Sequence, residues 1–180
     1  MRIFVGKKTD KTLRMITIRQ ANIDDCATIQ SVANIAFPAT YAEILTEGQL
    51  KYMMEWMYST ESLRRQMQEE GHIYYIAHDE ADRAVGYVSI QPEGADLFHL
   101  QKIYVLPERQ GEHIGQSLFR HAIKAIKELH PGPCRMELNV NRSNRARGFY
   151  ERMGMKKLRE GDFPIGEGYF MNDYIMGIDL

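Results

Sequence analysis

The spacing of apolar and polar positions changes period several times along the chain, and each change marks an element. "MITIRQANIDDCATIQSVANIAF" opens with Ile16 and Ile18 two apart, as in a half-buried strand. It then passes Asn22 into apolar positions at Ile29, Val32, Ala33 and Ala36, the spacing of a helix. Leu50, Met53, Met54 and Met57 repeat the helical period, a fresh start near Thr60 begins another helix, and Gly71 ends it. "HIYYIAH", "RAVGYVSIQ" and "LFHLQKIYV" are rich in β-branched and aromatic residues, and "DEADR" separates the first two as a hairpin turn would. An antiparallel meander is expected there. Ile114, Leu118, Ala122, Ile126 and Leu129 then trace one face of a long helix that stops at His130 and the breakers "PGP". "CRMELNV" reads as a strand and "SNRARGFYERMG" as a short helix closed by Gly154. "MKKLRE" and "YFMNDYIMGIDL" read as strands around a bend at "GEG".

The predicted order is strand, helices, three strands, helix, strand, helix, two strands. That is an α/β fold with a mixed, mostly antiparallel central sheet flanked by helices. The strand "LQKIYV", the helix from His113 and the strand "RMELNV" form one βαβ unit, whose strands should be parallel with a right-handed crossover. Nothing in the 180 residues resembles a linker, repeat or low-complexity tract, so a single domain is expected. That domain runs from Met15 to Leu180, and residues 1–14 read as an N-terminal extension, with "IFV" able to add an edge strand.

Charge and cysteine content narrow the function classes. The 23 basic and 24 acidic residues leave a formal charge of -1, which supplies no global field for nucleic acid or an anionic membrane, so neither is expected as a partner. No apolar run reaches the roughly 20 residues of a membrane helix, and the charged start is unlike a signal peptide, so the cytoplasm is the expected location. Cys26 and Cys134 lack metal-ligand spacing, and no metal is expected.

The candidate chemistry begins at "IYVLPERQGEHIGQSLF", where a strand turns through Gly111 and Gly115 into a helix. Such a turn aims backbone N–H groups and the positive end of the helix dipole at one point, an anion site suited to a pyrophosphate, with Gln110 as a further donor. A glycine-tolerant βα turn with no ligand has the same letters. A Walker A loop would need Lys and Ser or Thr after its last glycine, and a Rossmann turn would sit on the first strand; the sequence has neither.

The stretch resembles the acyl-CoA-binding motif of the GNAT superfamily, Q/R-x-x-G-x-G/A, with Gln110 first, Gly115 last and His113 where the middle glycine is usual. "NRSNRARGFYERMGMKK" is similar to that superfamily's second cofactor segment. Phe149, Tyr150, Glu151, Gly154 and Met155 stand in register, and either Asn144 or Asn141 supplies the asparagine. More loosely, the span from Ile16 to Leu180 resembles the bacterial spermidine/spermine N-acetyltransferases. The resemblance implies acetyl-CoA as co-substrate and a small-molecule amine or a peptide as acceptor, with room for a homodimer. It places cofactor contacts at Ile103, Tyr104, Val105, Gln110, Gly111, Glu112, His113, Ile114, Gly115, Gln116, Asn144 and Tyr150. It also implies Tyr150 as the acid that protonates the departing thiolate and His99 as the base, with Tyr41, Glu43 and Tyr74 as weaker candidates for the amine side. Trp56 and its neighbouring methionines are expected in the core. Lys156, Lys157, Arg145, Arg147 and Arg152 either meet a nucleotide phosphate or keep a helix solvated. A protein N-terminal or lysine acetyltransferase is the enzymatic alternative, and a non-catalytic acyl-CoA sensor the alternative of another class.

Overall fold

The computed structural model describes residues 15–180; the expected extension over residues 1–14, including "IFV", lies outside them. In chain order the elements are β1 (Thr17–Gln20), α1 (Cys26–Tyr41), α2 (Glu47–Tyr58), α3 (Thr60–Gln68), β2 (Ile73–His78), β3 (Ala84–Pro92), β4 (Leu97–Val105), α4 (Ile114–Leu129), β5 (Arg135–Asn141), α5 (Arg147–Arg152), β6 (Lys156–Gly166) and β7 (Tyr169–Asp179). This is the order that the hydrophobic periods predict. Helix starts follow local capping chemistry. Asn22 accepts from the Asp24 N–H while the Asp25 carboxylate accepts from the Asn22 N–H, a reciprocal box that leads through a 3-10 turn into α1. The hydroxyls of Thr46 and Ser59 cap α2 and α3 singly, accepting from the Gln49 and Ser62 N–H groups, and the second cap is why the chain restarts at Thr60.

The seven strands lie in the order β1-β2-β3-β4-β5-β7-β6, antiparallel except for the predicted parallel pair β4 and β5. That pair is short. Leu97 faces Arg135, Phe98 faces Met136 and His99 faces Glu137; beyond these the two strands are no longer paired, although β4 continues to Val105 and β5 to Asn141. Residues 100–105 therefore bond β3 along one edge and have no strand along the other.

A bulge on β4 decides what that open stretch presents. Ser89 pairs with Lys102 but Ile90 with Leu100, so Gln101 is an extra residue. Phe98 and Leu100 before it, and Ile103 and Val105 after it, pack on the α4 side with Leu118, Phe119 and Ile126. Lys102 and Tyr104 turn instead toward α1–α3, where Phe37, Tyr41, Tyr58, Tyr74 and Tyr87 form a second cluster.

Met53 lies in that second cluster with Met54 and Met57 packed against it, as their spacing predicts. Trp56 does not join them. It is 43% exposed and stacks on Tyr52 at 6.1 Å, because the helix row it shares with Tyr52, one turn earlier, runs beside the row of Met53 and Met57 rather than on it. Among the described residues no helix is long and apolar enough to cross a membrane, and no group of three metal-ligating side chains converges.

Candidate active site

The turn between β4 and α4 has the backbone its glycines suggested. Gly111 has φ 82° and His113 has φ 61°, both left-handed, so the position where the resemblance leads one to expect glycine does adopt a glycine conformation. The cause is the approach to α4. His113 caps the helix with its backbone, and no side chain caps the first turn. The N–H groups of Ile114, Gly115 and Gln116 are thus the orphan donors of a 16-residue helix, aimed out of its N-terminus. A Cβ on Gly115 would meet Phe149 at 3.7 Å and Val105 at 3.8 Å, ordinary contacts, and one on Gly111 would meet nothing within 4 Å. Space over this turn is open for an anion, and the residues present fit the pyrophosphate of acetyl-CoA.

The turn is anchored from behind by Arg109. Its buried guanidinium pairs with Asp79 at 2.8 Å, in the β2–β3 hairpin, and with Glu112 at 3.0 Å, inside the turn. Glu112 is thereby neutralised beside the anion site. Backbone N–H donation from Arg83, with the guanidinium groups of Arg83 and Arg109, holds the Asp79 carboxyl well below the usual range.

Tyr150 lies in α5, 8% exposed, with its ring against Phe149 at 5.4 Å and Phe119 at 6.5 Å, on the α4 side of the sheet. Burial pushes its phenol above its ordinary pKa, with the neighbouring phenol of Tyr41 adding to the shift, so it stays protonated at neutral pH. Tyr41 belongs to the opposite face. The Tyr41 and Tyr104 phenols nevertheless act electrostatically on or with that of Tyr150 across the sheet. Tyr104 itself lies on the part of β4 that has parted from β5. Asn144 joins the phenols: its side chain faces Tyr41 while its Oδ1 accepts from the Ala146 N–H at 2.8 Å. Asn141 Oδ1 is committed to the Ser143 N–H at 2.9 Å.

His99 occupies the last position of β4 that pairs with β5. Its Nδ1 is 3.5 Å from Glu93, and it shares a neighbourhood with Glu137, whose carboxylate is bound by Arg159. Burial lowers its pKa, opposed by those carboxylates. The structure thus gathers Tyr41, Tyr104, Asn144 and Tyr150, and sets His99 in an ionic group of its own. Glu43 is exposed, and the Tyr74 hydroxyl is engaged with Gln66 and Lys102. Of the basic residues near α5, Arg147 pairs with Glu151 and lies over the Tyr174 ring, and Lys157 pairs with Glu160.

A turn with free backbone donors, an unpaired strand edge and a buried protonated phenol are features that would suit a thioester of a phosphate-bearing carrier. Residues 41–163 match the Acetyltransferase (GNAT) domain. The chain belongs to the GNAT family. It is an acetyl-CoA-dependent N-acetyltransferase. Over 145 residues it is 28% identical to the spermidine N(1)-acetyltransferase of Thermoplasma acidophilum, a match covering 78% of this chain and 88% of that protein. An 83-residue stretch is 32% identical to a peptidyl-lysine N-acetyltransferase of Salmonella typhimurium, 46% of this chain and 49% of that one. The crystal structure of PaiA N-acetyltransferase from Thermoplasma acidophilum, in complex with coenzyme A, superimposes with a TM-score of 0.75 at 26% identity, covering 92% of this chain and 99% of that chain.

Two buried ionisable residues of this acetyltransferase belong to no motif. Lys102 on β4 is buried, and burial lowers its pKa to about 7. Asp173 on β7 is 4% exposed. Each had one trace in the sequence: a charged residue within an otherwise apolar strand, "LQKIYV" for the first and "YFMNDYIM" for the second.

Proposed function

We propose that this acetyltransferase moves the acetyl group of acetyl-CoA directly to a primary amine in a ternary complex, with spermidine-type polyamines as the first acceptors to try. The observation that carries the reading is the opening between β4 and β5, which has a buried, protonated Tyr150 on one face and the phenols of Tyr41 and Tyr104 on the other. The similarity to a spermidine N(1)-acetyltransferase favours the polyamine.

In this reading the orphan N–H groups of Ile114, Gly115 and Gln116, with Gln110, Gly111, Glu112 and His113 around them, hold the pyrophosphate. The free edge of Ile103, Tyr104 and Val105 pairs with the extended arm of the cofactor as a strand would, and a backbone N–H there meets the developing oxyanion. Asn144 steadies the arm from the β5 side. The amine nitrogen forms its bond to the carbonyl carbon, the C–S bond breaks, and Tyr150 donates its proton to the departing thiolate. His99, unprotonated through burial, takes the proton lost by the amine and passes it to solvent, and the Tyr150 phenolate regains a proton from solvent, which restores both groups for the next turnover.

The test is coenzyme A release from acetyl-CoA across polyamines, amino acids, aminoglycosides and lysine-bearing peptides. Turnover with spermidine or spermine supports the reading. Turnover with peptides alone moves the acceptor to a protein amine, and none with any amine overturns the assignment.

A further inference from the structure

Asp173 is a carboxylate in a place where carboxylates are rarely found unpaired. It lies on β7 opposite Asn141 of β5, and its Oδ2 accepts from Asn139 Nδ2 at 3.1 Å. Among the described residues no donor reaches its Oδ1. Arg142, the cation whose charge acts on it, is bonded to Asp162 at 3.0 Å. Burial raises the Asp173 pKa, the expected response of a carboxylate with half its acceptors unmet.

Its direction gives the orphan oxygen a purpose. Met171 on the same strand face packs in the α1–α2 cluster, so Asp173 shares that side. The Asp173 charge is felt by the hydroxyl of Tyr41, the residue that faces Tyr104 on β4 and Asn144 beyond β5. The carboxylate therefore lies on the sheet face opposite Tyr150, on the side of Tyr41.

We propose that Asp173 is the receptor for the substrate's ammonium group, its Oδ1 accepting a charge-assisted hydrogen bond from a cationic primary amine that enters from the α1–α2 side. This rests on the amine-acetylation reading and adds to it. The acceptor binds as an alkylammonium, and uncharged nucleophiles lose the contact that holds them. The charge of the ligand also offsets the cost of burying the carboxylate.

The experiment is calorimetric titration of the coenzyme A-loaded protein with spermidine and with a lysine-containing tripeptide, for the wild type and Asp173→Asn, alongside aniline as an uncharged amine. The expected result is that Asp173→Asn weakens at least one cationic probe by about tenfold to a hundredfold, while coenzyme A affinity and whatever affinity aniline shows stay within about twofold. Should Asp173→Asn not fold, Asp173→Ser removes the same charge. Equal affinity of wild type and variant for every cationic probe, or no binding of either to the wild type, overturns the proposal. Binding that depends on Asp173 without acetyl transfer to any amine would sustain the receptor and defeat the catalytic reading, so the two fail separately.

Discussion

Tyr150 and Lys102 are both buried ionisable residues, and burial serves them in opposite ways. For Tyr150 it raises the pKa and so keeps the phenol protonated, the form that the proposed acid role needs. Tyr150→Phe should lower kcat by about 10²-fold or more with little change in acetyl-CoA affinity, since the proton matters only as the C–S bond breaks. Steady-state kinetics with parallel cofactor titration checks this, and unchanged kcat would remove Tyr150 from the acid role. For Lys102 burial is a burden. Its ammonium donates to Gln66 at 2.5 Å and to the Tyr74 hydroxyl at 2.6 Å and lies over the rings of Tyr58 and Tyr74, yet its pKa still falls to about 7 from 10.5. The folded state then binds fewer protons than the unfolded state between those two values. The penalty is fully present below about pH 7 and is relieved as pH rises toward the unfolded pKa, so stability should climb by up to about 1.4 kcal/mol per pH unit in that window. In Lys102→Met this contribution to the slope should vanish, because Tyr74 still donates to Gln66 at 2.5 Å and no charge is left to bury. Urea unfolding between about pH 7 and pH 9 measures the slopes, and parallel curves would show that Lys102 does not titrate there.

At the scale of elements the β4–α4 turn is where sequence and geometry agree most closely. The fold itself does not require glycine at 115, since a Cβ there meets only ordinary contacts. Gly115→Ala should leave stability unchanged or raise it by about 0.5–1 kcal/mol through helix propensity, while weakening acetyl-CoA about tenfold by crowding the anion. Thermal melts and cofactor titration separate the two effects; full affinity in the variant would detach the turn from the phosphates. The turn, the amphipathic stripe of α4 and the βαβ unit were legible because each rests on spacing within a few residues of chain. The face of Lys102 was not. Strict alternation along "FHLQKIYV" would put Lys102 on the side of Phe98 and Leu100, and only the extra residue at Gln101 turns it and Tyr104 toward α1–α3. Asp173 was hidden for another reason. Its neighbours come from β5 and α1, over a hundred residues away in Tyr41's case, and no local spacing encodes that meeting. Trp56 was misjudged because it adjoins core methionines in sequence, whereas on the helix it follows Tyr52 by one turn and stacks on that ring at the surface.

The molecule as a whole is two apolar clusters on either side of one sheet, and they share a boundary where β4 and β5 separate. In the proposed binding mode a ligand in the separation would touch the α4 side through the turn and Tyr150, and the α1–α3 side through the strand edge beyond the bulge. Its binding energy is therefore expressed in the global unfolding transition rather than in one loop. At a concentration about a hundred times its Kd, acetyl-CoA should add about 2.7 kcal/mol to the stability of the folded state. For a chain of this length each kcal/mol raises Tm by about 2–4 °C, so a rise of about 5–11 °C is expected. Hydrogen exchange localises the same event. The amides of residues 100–105 that face away from β3 should exchange readily in the free protein and become protected with acetyl-CoA, while those bonded to β3 change only with global stability. Protection confined to the turn at residues 110–116, with the β4 edge unaffected, would mean that the cofactor's arm does not pair with the strand, and the acetyl group would then have to reach Tyr150 by another path.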